Sequence, residues 1–386
     1  MNSRSVRLIK RLSLQSFGIR LTLSVLVFLA FLFPARAGSS DVSNSSTLTD
    51  AQHATLAVQT LQTWYVPASG LYRKPTDWWN TANAITVLVD YSRVSHTTKY
   101  LGAVANTFAK ANKTYRIHNF VNDSNDDEGW WALAWIDAYD LTKTASYLQM
   151  AETIFADMTK QWETGTCGGG VWWSKDLQHS AYKNAVTNEL FLEISAGLAN
   201  RVADPEKKAQ YLAWAQKEWR WFKASGMVNA ENLVNDGLNA KNPAACTNNH
   251  QTTWTYNQGV VLGGLVELAQ ADGDSSLLPQ AEAIAQATIA KLVTPGGVLN
   301  EHPGGGPDLP QFKGVFMRNL VKLYRVAPRP AYRSFLRINA DSIWQKDQGE
   351  KHKLGMNWQG PFDSGDATRQ TSALDALIAA VETEQR

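Results

Sequence analysis

Hydrophobic residues recur three and four positions apart along most of the chain, which is the spacing that places them on one face of an α-helix. Stretches of strictly alternating character, which would indicate β-strands, are nearly absent. The pattern therefore predicts an all-α protein. About twelve helices are expected, near residues 50–64, 79–94, 98–110, 126–141, 145–161, 181–201, 205–224, 253–271, 276–292, 311–326, 329–346 and 368–383.

Twelve consecutive helices predict six helical hairpins closed into an (α/α)6 double-ring barrel. The alternative is an open helical solenoid, but the sequence has no repeat of fixed period that would support it. Each even-numbered helix follows a loop rich in Trp, Asn, Gly or Asp. If these helices form the inner ring, their N-termini meet at one mouth and the loops surround one cleft. Gly259, Gly263 and Gly264 inside the eighth helix predict close packing, because each Gly costs about 1 kcal/mol in a helix interior.

The N-terminus has the organisation of a secretory signal peptide over residues 1–37. A basic start precedes an apolar run from Leu21 to Phe33, and Ala35-Arg36-Ala37 is a small-x-small cleavage site. The alternative is an uncleaved anchor, although a membrane span needs about 20 apolar residues. Residues 38–48 are expected to be a flexible segment, and residues 49–386 a single domain. The C-terminus lacks the hydrophobic tail of a lipid-anchor signal, so we expect a secreted protein without a stable membrane anchor.

The composition excludes disorder and disfavours nucleic-acid binding. Only 19% of the residues are charged, whereas the chain contains 15 Trp. The leader holds six basic residues and no acidic one, so its removal leaves 31 basic against 35 acidic residues and a net charge of about −4. No basic stripe remains to contact phosphates. The two cysteines, Cys167 and Cys246, lie in loops, and the sequence leaves open whether they pair.

The residues 122–141 combine acidic and aromatic side chains at the start of a predicted helix. Asp126 and Asp127 precede Trp130 and Trp131, with Glu128 between the two pairs. Acidic residues at a helix start can simply cap free N–H groups. However, adjacent carboxyls beside flat aromatic rings also suit a site that cleaves glycosidic bonds. The same acids could hold a hard cation, which we regard as the weaker alternative, and no metal or other cofactor is expected.

Other polar and aromatic residues near the predicted mouth are candidates for substrate binding. Tryptophans in loops favour stacking on sugar rings over burial in the core, and asparagines four apart share one helix face. Capping or bridging by the asparagines, and surface ion pairing by the lysine, are the alternatives. The candidates are Trp79, Asn83, Trp130, Trp131, Trp172, Asn184, Asn188, Tyr256, Asn257 and Lys313. Sequence signatures of serine hydrolases, zinc proteases, phosphate-binding loops and dinucleotide folds are absent.

Several segments together resemble glycoside hydrolase family 76, whose founding activity is endo-α-1,6-mannanase. The segments are WWNTAN at 78–83, DDEGWWALAWIDAYDLT at 126–142, CGGGVWW at 167–173, KNAVTNELF at 183–191, LAWAQKEWRWFKASGM at 212–227, NLVNDGL at 232–238, WTYNQGVVLGGLVEL at 254–268, QFKGVFMRNL at 311–320 and SALDALIAA at 372–380. They cover nearly the whole chain after the leader. The resemblance implies an (α/α)6 barrel and retaining hydrolysis of α-1,6-mannosidic bonds. By position, it implies Asp126 as the nucleophile and Asp127 as the general acid/base.

Three functions remain open at this point. The first is a secreted endo-acting mannanase, which is expected to bind α-1,6-mannan as a monomer. The second is a cell-wall transglycosylase of the same fold, in which a sugar rather than water accepts the intermediate. The third is a carbohydrate-binding protein without catalytic activity, against which the presence of both Asp126 and Asp127 argues. In place of additional cysteines expected from many fungal relatives, the chain has His302-Pro303, so its loop disulfides are expected to differ from theirs.

Overall fold

The computed structural model describes residues 48–113 and 117–386. The predicted signal peptide, and residues 38–47 of the predicted flexible segment, lie outside the described residues. The described chain contains twelve α-helices and two short hairpins, β1–β2 and β3–β4. The helices are α1 (Asp50–Gln62), α2 (Trp78–Val94), α3 (Leu101–Lys110), α4 (Asn125–Thr142), α5 (Ala145–Met158), α6 (Ala185–Arg201), α7 (Pro205–Ala224), α8 (Thr255–Asp272), α9 (Leu278–Lys291), α10 (Phe312–Val326), α11 (Pro330–Lys346) and α12 (Ala367–Glu384). The strands are β1 (Tyr65–Val66), β2 (Leu71–Tyr72), β3 (Leu238–Asn239) and β4 (Thr247–Asn248).

The even-numbered helices form a closed inner ring. Each packs against the next, and α12 packs back against α2, which excludes the open solenoid. Inner helices are buried on nearly every face, as in α6, where every residue from Ala185 to Ala199 is buried. The odd-numbered helices lie outside and bury one face only, as in α7, which buries Ala215, Glu218, Trp219 and Phe222. The predicted all-α double-ring barrel is therefore confirmed.

Glycines in α8 allow the inner helices to approach one another closely. A Cβ atom on Gly259 would lie 2.6 Å from the Cα of Phe316 on α10, and one on Gly264 would lie 2.9 Å from Leu192 on α6. Both distances are shorter than real Cβ contacts. At Gly259 the contact is with backbone, so a residue without a Cβ is required, whereas at Gly264 the Leu192 side chain would have to shift. The packing reason predicted for the glycines is present.

Two of the loops that precede inner helices, those before α6 and α8, are joined at one end of the barrel. A disulfide between Cys167 and Cys246 joins the loop after α5 to the loop between β3 and β4, so the two cysteines do pair. The buried Lys183 ammonium donates to the carbonyl oxygens of Glu163 (2.8 Å), Thr166 (2.6 Å) and Gly169 (2.5 Å) in the loop before α6. These contacts fix the Gly-rich segment that leads to Trp172 and Trp173. Across residues 48–113 and 117–386, none of the helices combines the length and the apolar character needed to cross a bilayer.

Candidate active site

A pocket of about 130 Å³ opens where the N-terminal ends of the inner helices converge. The helices α2, α4, α6, α8 and α10 each contribute at least one side chain from their first turns, and the preceding loops contribute the others. The lining residues are Trp79, Ser124, Asp126, Asp127, Trp130, Trp173, Val186, Tyr256, Asp308 and Phe312. The inner helices therefore meet at one mouth, as their loop sequences predicted.

Asp126 is held at the first turn of α4 by two hydrogen bonds. Its Oδ2 accepts from the indole Nε1 of Trp173 at 2.9 Å, and its Oδ1 accepts from the backbone N–H of Asp127 at 3.0 Å. Burial raises the pKa of Asp126 to about 6, although both hydrogen bonds favour the ionised carboxylate and oppose this rise. The carboxylate of Asp126 is therefore oriented by donors and ionised near neutral pH.

Asp127 lies in the same pocket but in a different electrostatic environment. Its Oδ2 accepts from the side-chain amide of Asn122 at 2.8 Å. Burial, and then repulsion by the neighbouring Asp126, raise the pKa of Asp127 well above its ordinary value. Asp126 therefore ionises first and Asp127 retains its proton, which is the division of roles that acid-base catalysis by two carboxyls requires.

The polypeptide around the pair is fixed by a neighbouring loop. The side-chain amide of Asn125 donates to the carbonyl oxygen of Trp172 at 2.7 Å, and Lys175 N–H donates to the carbonyl oxygen of Asp123 at 2.9 Å. Glu128, which follows the pair directly, is fully buried and forms an ion pair with Lys175, with 3.1 Å between Oε1 and Nζ. Glu128 thus joins α4 to this loop.

The residues that the structure describes contain no group of three His, Cys, Asp or Glu side chains that could hold a metal ion.

Aromatic rings form the walls of the pocket. The rings of Trp79 and Trp130 lie 5.7 Å apart, and those of Tyr256 and Phe312 lie 4.1 Å apart. The indole Nε1 of Trp79 donates to Asp308 Oδ1 at 3.0 Å, which brings a third carboxyl to the pocket. Flat apolar faces beside hydrogen-bonding groups suit a pyranose ring, which has apolar faces and polar edges.

Three of the predicted substrate-binding residues, Trp79, Trp130 and Tyr256, line the pocket. Trp131 does not, and its prediction needs correction: its side chain is fully buried, with ring centroids 4.7 Å from Phe120 and 5.6 Å from Trp135. Successive residues of a helix point in directions about 100° apart, so Trp130 faces the pocket while Trp131 faces the core.

Three predicted asparagines direct their amides to neighbouring protein groups. Asn184 caps α6 by accepting from Thr187 N–H at 3.3 Å. Asn188 accepts from Val171 N–H at 2.7 Å and donates to the Val171 carbonyl oxygen at 3.1 Å. Asn83 donates to the carbonyl oxygen of Trp79 at 3.3 Å and accepts from the guanidinium of Arg318. Their contacts support the pocket from behind, so the capping and bridging alternative describes them.

The remaining candidates lie near the pocket without lining it. Trp172 is buried, and the Lys183 ammonium lies 4.6 Å from the centre of its ring. Successive residues of an extended segment point in opposite directions, so Trp173 faces the pocket and Trp172 faces away from it. Asn257 is buried next to Tyr256. Lys313 lines a second pocket beside the first. The sequence offered no signal for Asp308, because only the closed ring brings it to Trp79.

A larger cavity, of about 320 Å³, lies at the opposite end of the barrel among the C-terminal ends of the inner helices. Its charged residues are largely paired with one another, as in Arg201 with Glu267 at 2.8 Å. It lacks the aromatic walls and the oriented carboxyl pair of the smaller pocket. The smaller pocket is therefore the candidate active site.

Comparison with known proteins identifies the family. A model described as glycosyl hydrolase family 76 matches residues 48–386. The chain belongs to this family. This family 76 glycosidase is 25% identical in sequence to the mannan endo-1,6-alpha-mannosidase DFG5 of Candida albicans, and the alignment covers 94% of this chain and 85% of the relative. It is also 25% identical to DCW1 of Saccharomyces cerevisiae, which bears the same enzyme name, over 81% of this chain and 74% of the relative.

Solved structures show the same fold for this family 76 chain. Lin0763 from Listeria innocua superimposes with a TM-score of 0.76 at 25% identity, covering 88% of this chain and 98% of that one. An inactive variant of the α-1,6-mannanase GH76A of Salegentibacter, in complex with alpha-1,6-mannotetrose, superimposes with a TM-score of 0.77 at 23% identity. This superposition covers 87% of this chain and 99% of the mannanase.

Proposed function

We propose that the protein hydrolyses internal α-1,6-mannosidic bonds of mannan with retention of anomeric configuration. The observation that carries the proposal is the pair of adjacent carboxyls, Asp126 and Asp127, which share an aromatic pocket but differ in their tendency to hold a proton. Two carboxyls with separated pKa values are what a retaining glycosidase uses.

In the first half of the proposed reaction, ionised Asp126 attacks the anomeric carbon and forms a covalent glycosyl-enzyme. Protonated Asp127 gives its proton to the glycosidic oxygen as the bond to the leaving chain breaks. In the second half, Asp127 takes a proton from water, the water oxygen attacks the anomeric carbon, and the bond to Asp126 breaks. Trp173 and Asn122 orient the two carboxyls through the hydrogen bonds at 2.9 Å and 2.8 Å.

Substrate binding is proposed for the aromatic walls. Trp79, Trp130 and Tyr256 would stack on the faces of the mannose rings, and Asp308, held by Trp79, would accept hydrogen bonds from hydroxyls. The side-chain amides of Asn83, Asn184 and Asn188, which are buried behind the pocket, would hold these walls in position.

The relatives support this substrate. Curated relatives from several yeasts are named mannan endo-1,6-alpha-mannosidases. The Salegentibacter α-1,6-mannanase was made inactive by replacement of two adjacent aspartates and was captured with alpha-1,6-mannotetrose. Secretion through cleavage near Ala37 belongs to the same proposal and rests on the sequence pattern of the leader. A monomeric catalytic domain over 49–386 is also part of it, and the family match over residues 48–386 supports the bounds of this domain.

The test is incubation of the protein lacking residues 1–37 with linear α-1,6-mannan and α-1,6-mannooligosaccharides. Products are followed by chromatography, and their initial anomeric form by NMR. Short oligosaccharides released first as the α-anomer are expected. Products longer than the starting oligosaccharide would instead establish transglycosylation. Binding without turnover would establish a carbohydrate-binding protein and contradict the catalytic role of the pair.

A further inference from the structure

A second pocket, of about 260 Å³, lies next to the candidate active site. The two pockets share a wall formed by the residues before α10 and its first turn. Asp308 and Phe312 face the active site, whereas Leu309 and Lys313 face the second pocket. The second pocket therefore adjoins the active site on the opposite side of this wall.

The second pocket is rich in groups that bind hydroxyls. Amides, one carboxyl, one ammonium and one indole line it beside apolar side chains. Besides Thr294, the polar lining residues are Asn300, Glu301, Lys313, Asn357, Trp358 and Gln359.

Lys313 brings an ammonium with unused hydrogen-bonding capacity into the pocket. The residue is only 3% exposed, and its Nζ donates to the carbonyl oxygen of Met356 at 2.7 Å and lies 4.3 Å from the centre of the Trp358 ring. An ammonium has three donors, and this is the one hydrogen bond that the described residues provide for it. The indole Nε1 of Trp358, in a side chain that is 1% exposed, likewise has no acceptor among the described residues.

The charges of the pocket favour a neutral ligand over an anion. Glu301 faces the same space as Lys313, so a carboxyl opposes the ammonium. Glu301 is fixed by the start of α8, since its Oε2 accepts from Thr255 N–H at 3.2 Å, and Tyr256, the next residue, lines the active site. Spare donors next to a fixed acceptor match the hydroxyl groups of a sugar, which both accept and donate hydrogen bonds.

We propose that the second pocket is a distal subsite that binds one neutral pyranose ring of the substrate, with the Lys313 ammonium, held over the Trp358 ring, donating to its hydroxyls. This inference rests on the proposed function, because the ring belongs to the mannan held at the Asp pair. The ring can come from the linear chain or from a side branch.

The test measures binding to the catalytically inactive Asp126→Asn/Asp127→Asn protein by calorimetry. One ligand series consists of linear α-1,6-mannooligosaccharides of increasing length, and the other carries single-mannose branches. We expect the Kd to fall about tenfold at the ligand that first reaches the second pocket, which corresponds to one or two hydrogen bonds. The series that shows this step identifies the source of the ring.

The decisive variant is Asn300→Trp in the same inactive protein, which places an indole in the second pocket from an exposed position. It should abolish the step while the Kd of the shorter ligands stays unchanged. Gln210→Trp, at an exposed position of the outer helix α7, is the matched control and should retain the step.

Two results would overturn the inference alone: binding in both series without a step, or a step that Asn300→Trp leaves intact. Absence of binding by every oligosaccharide would overturn the proposed function and the distal subsite together.

Discussion

Asp126 and Asp127 are adjacent in the chain, yet their side chains have different hydrogen-bond partners. The indole of Trp173 and a backbone N–H stabilise the charge of Asp126, whereas Asp127 has one side-chain donor, from Asn122, and the repulsion of its neighbour. The difference is a property of environment rather than of residue type. It can be tested by the products that each variant forms.

Replacing each aspartate by asparagine should lower kcat/KM for mannan by about 10²-fold or more, because a positioned proton donor alone contributes about 10²- to 10⁴-fold. Azide should rescue Asp127→Asn on an aryl α-1,6-mannobioside, since a good leaving group needs no acid. The azide product should then have the α configuration, because the glycosyl-enzyme at Asp126 still forms. Rescue of Asp126→Asn should give the β product by direct displacement. The opposite pattern would exchange the two roles.

Under the proposed mechanism, the pH profile depends on Asp126 being ionised. With a pKa of about 6, kcat/KM should fall tenfold per pH unit below about pH 6 as the nucleophile gains a proton. Trp173→Phe removes a donor that stabilises the charged form, so the pKa of Asp126 rises and the acidic limb moves to higher pH. Trp214→Phe, on the outer helix α7, is the control and should leave the limb in place. If the acidic limb of the pH profile is unchanged in Trp173→Phe, the limb does not report the ionisation of Asp126.

Among the elements, the inner helices depend on close approach more than on helix propensity. Gly263 of α8 faces Glu193 of α6 and Asn319 of α10, and a Cβ there would collide with both side chains. A Cβ on Gly102 of the outer helix α3 would instead have no neighbour within 4 Å.

Gly263→Ala should therefore lower the free energy of unfolding by about 1–3 kcal/mol, the usual cost of overpacking. Gly102→Ala should be neutral or stabilising by up to ~1 kcal/mol, because alanine favours a helix where space is open. Urea denaturation measures both. Equal effects at the two positions would contradict the packing argument.

Most elements could be predicted because hydrophobic spacing alone specifies a helix. The sixth helix was expected from residue 181 but begins at Ala185, since Tyr182 and Lys183 instead form backbone hydrogen bonds to Trp173 at 2.8 Å and to Leu238 at 3.1 Å. Such pairing between distant segments leaves no periodic pattern. The two-residue strands escaped prediction for the same reason.

The candidate site could be predicted only in part. The Asp pair and Trp130 share one short segment, so local sequence brings them together. Which side of a helix or loop faces the pocket depends on tertiary packing, which the sequence does not show. The prediction therefore places the buried Trp131 and Trp172 in the pocket and leaves out Asp308, which lines it.

At the scale of the whole molecule, closure of the ring depends on α12 packing against α1, α2, α10 and α11. Nearly every residue of α12 from Ala367 to Thr383 is buried. Its contacts with α1 and α2 join the two ends of the described domain, so the barrel cannot close without it.

A chain that ends before Ala367 should fail to fold, because it exposes the apolar faces of four helices. Size-exclusion chromatography should show aggregation, and circular dichroism should show the loss of a cooperative thermal transition. Removing only Gln385 and Arg386, which follow α12 and are exposed, is the control and should leave both unchanged. A soluble, cooperatively folded protein without α12 would contradict the closed ring as the folding unit.

Paired charges such as Arg201 and Glu267 occupy the end of the barrel opposite the Asp pair. Between the two ends lies Arg318, paired with buried Asp375 at 3.2 Å and 5.7 Å from the ring of Trp130. A polymer therefore cannot thread along the barrel axis and must arrive and depart at the same mouth. Under the proposed cleavage of internal bonds, the mannan chain lies across this mouth and needs no free terminus, so a strand whose two ends are both tethered, as in a cross-linked wall or gel, would still be cut.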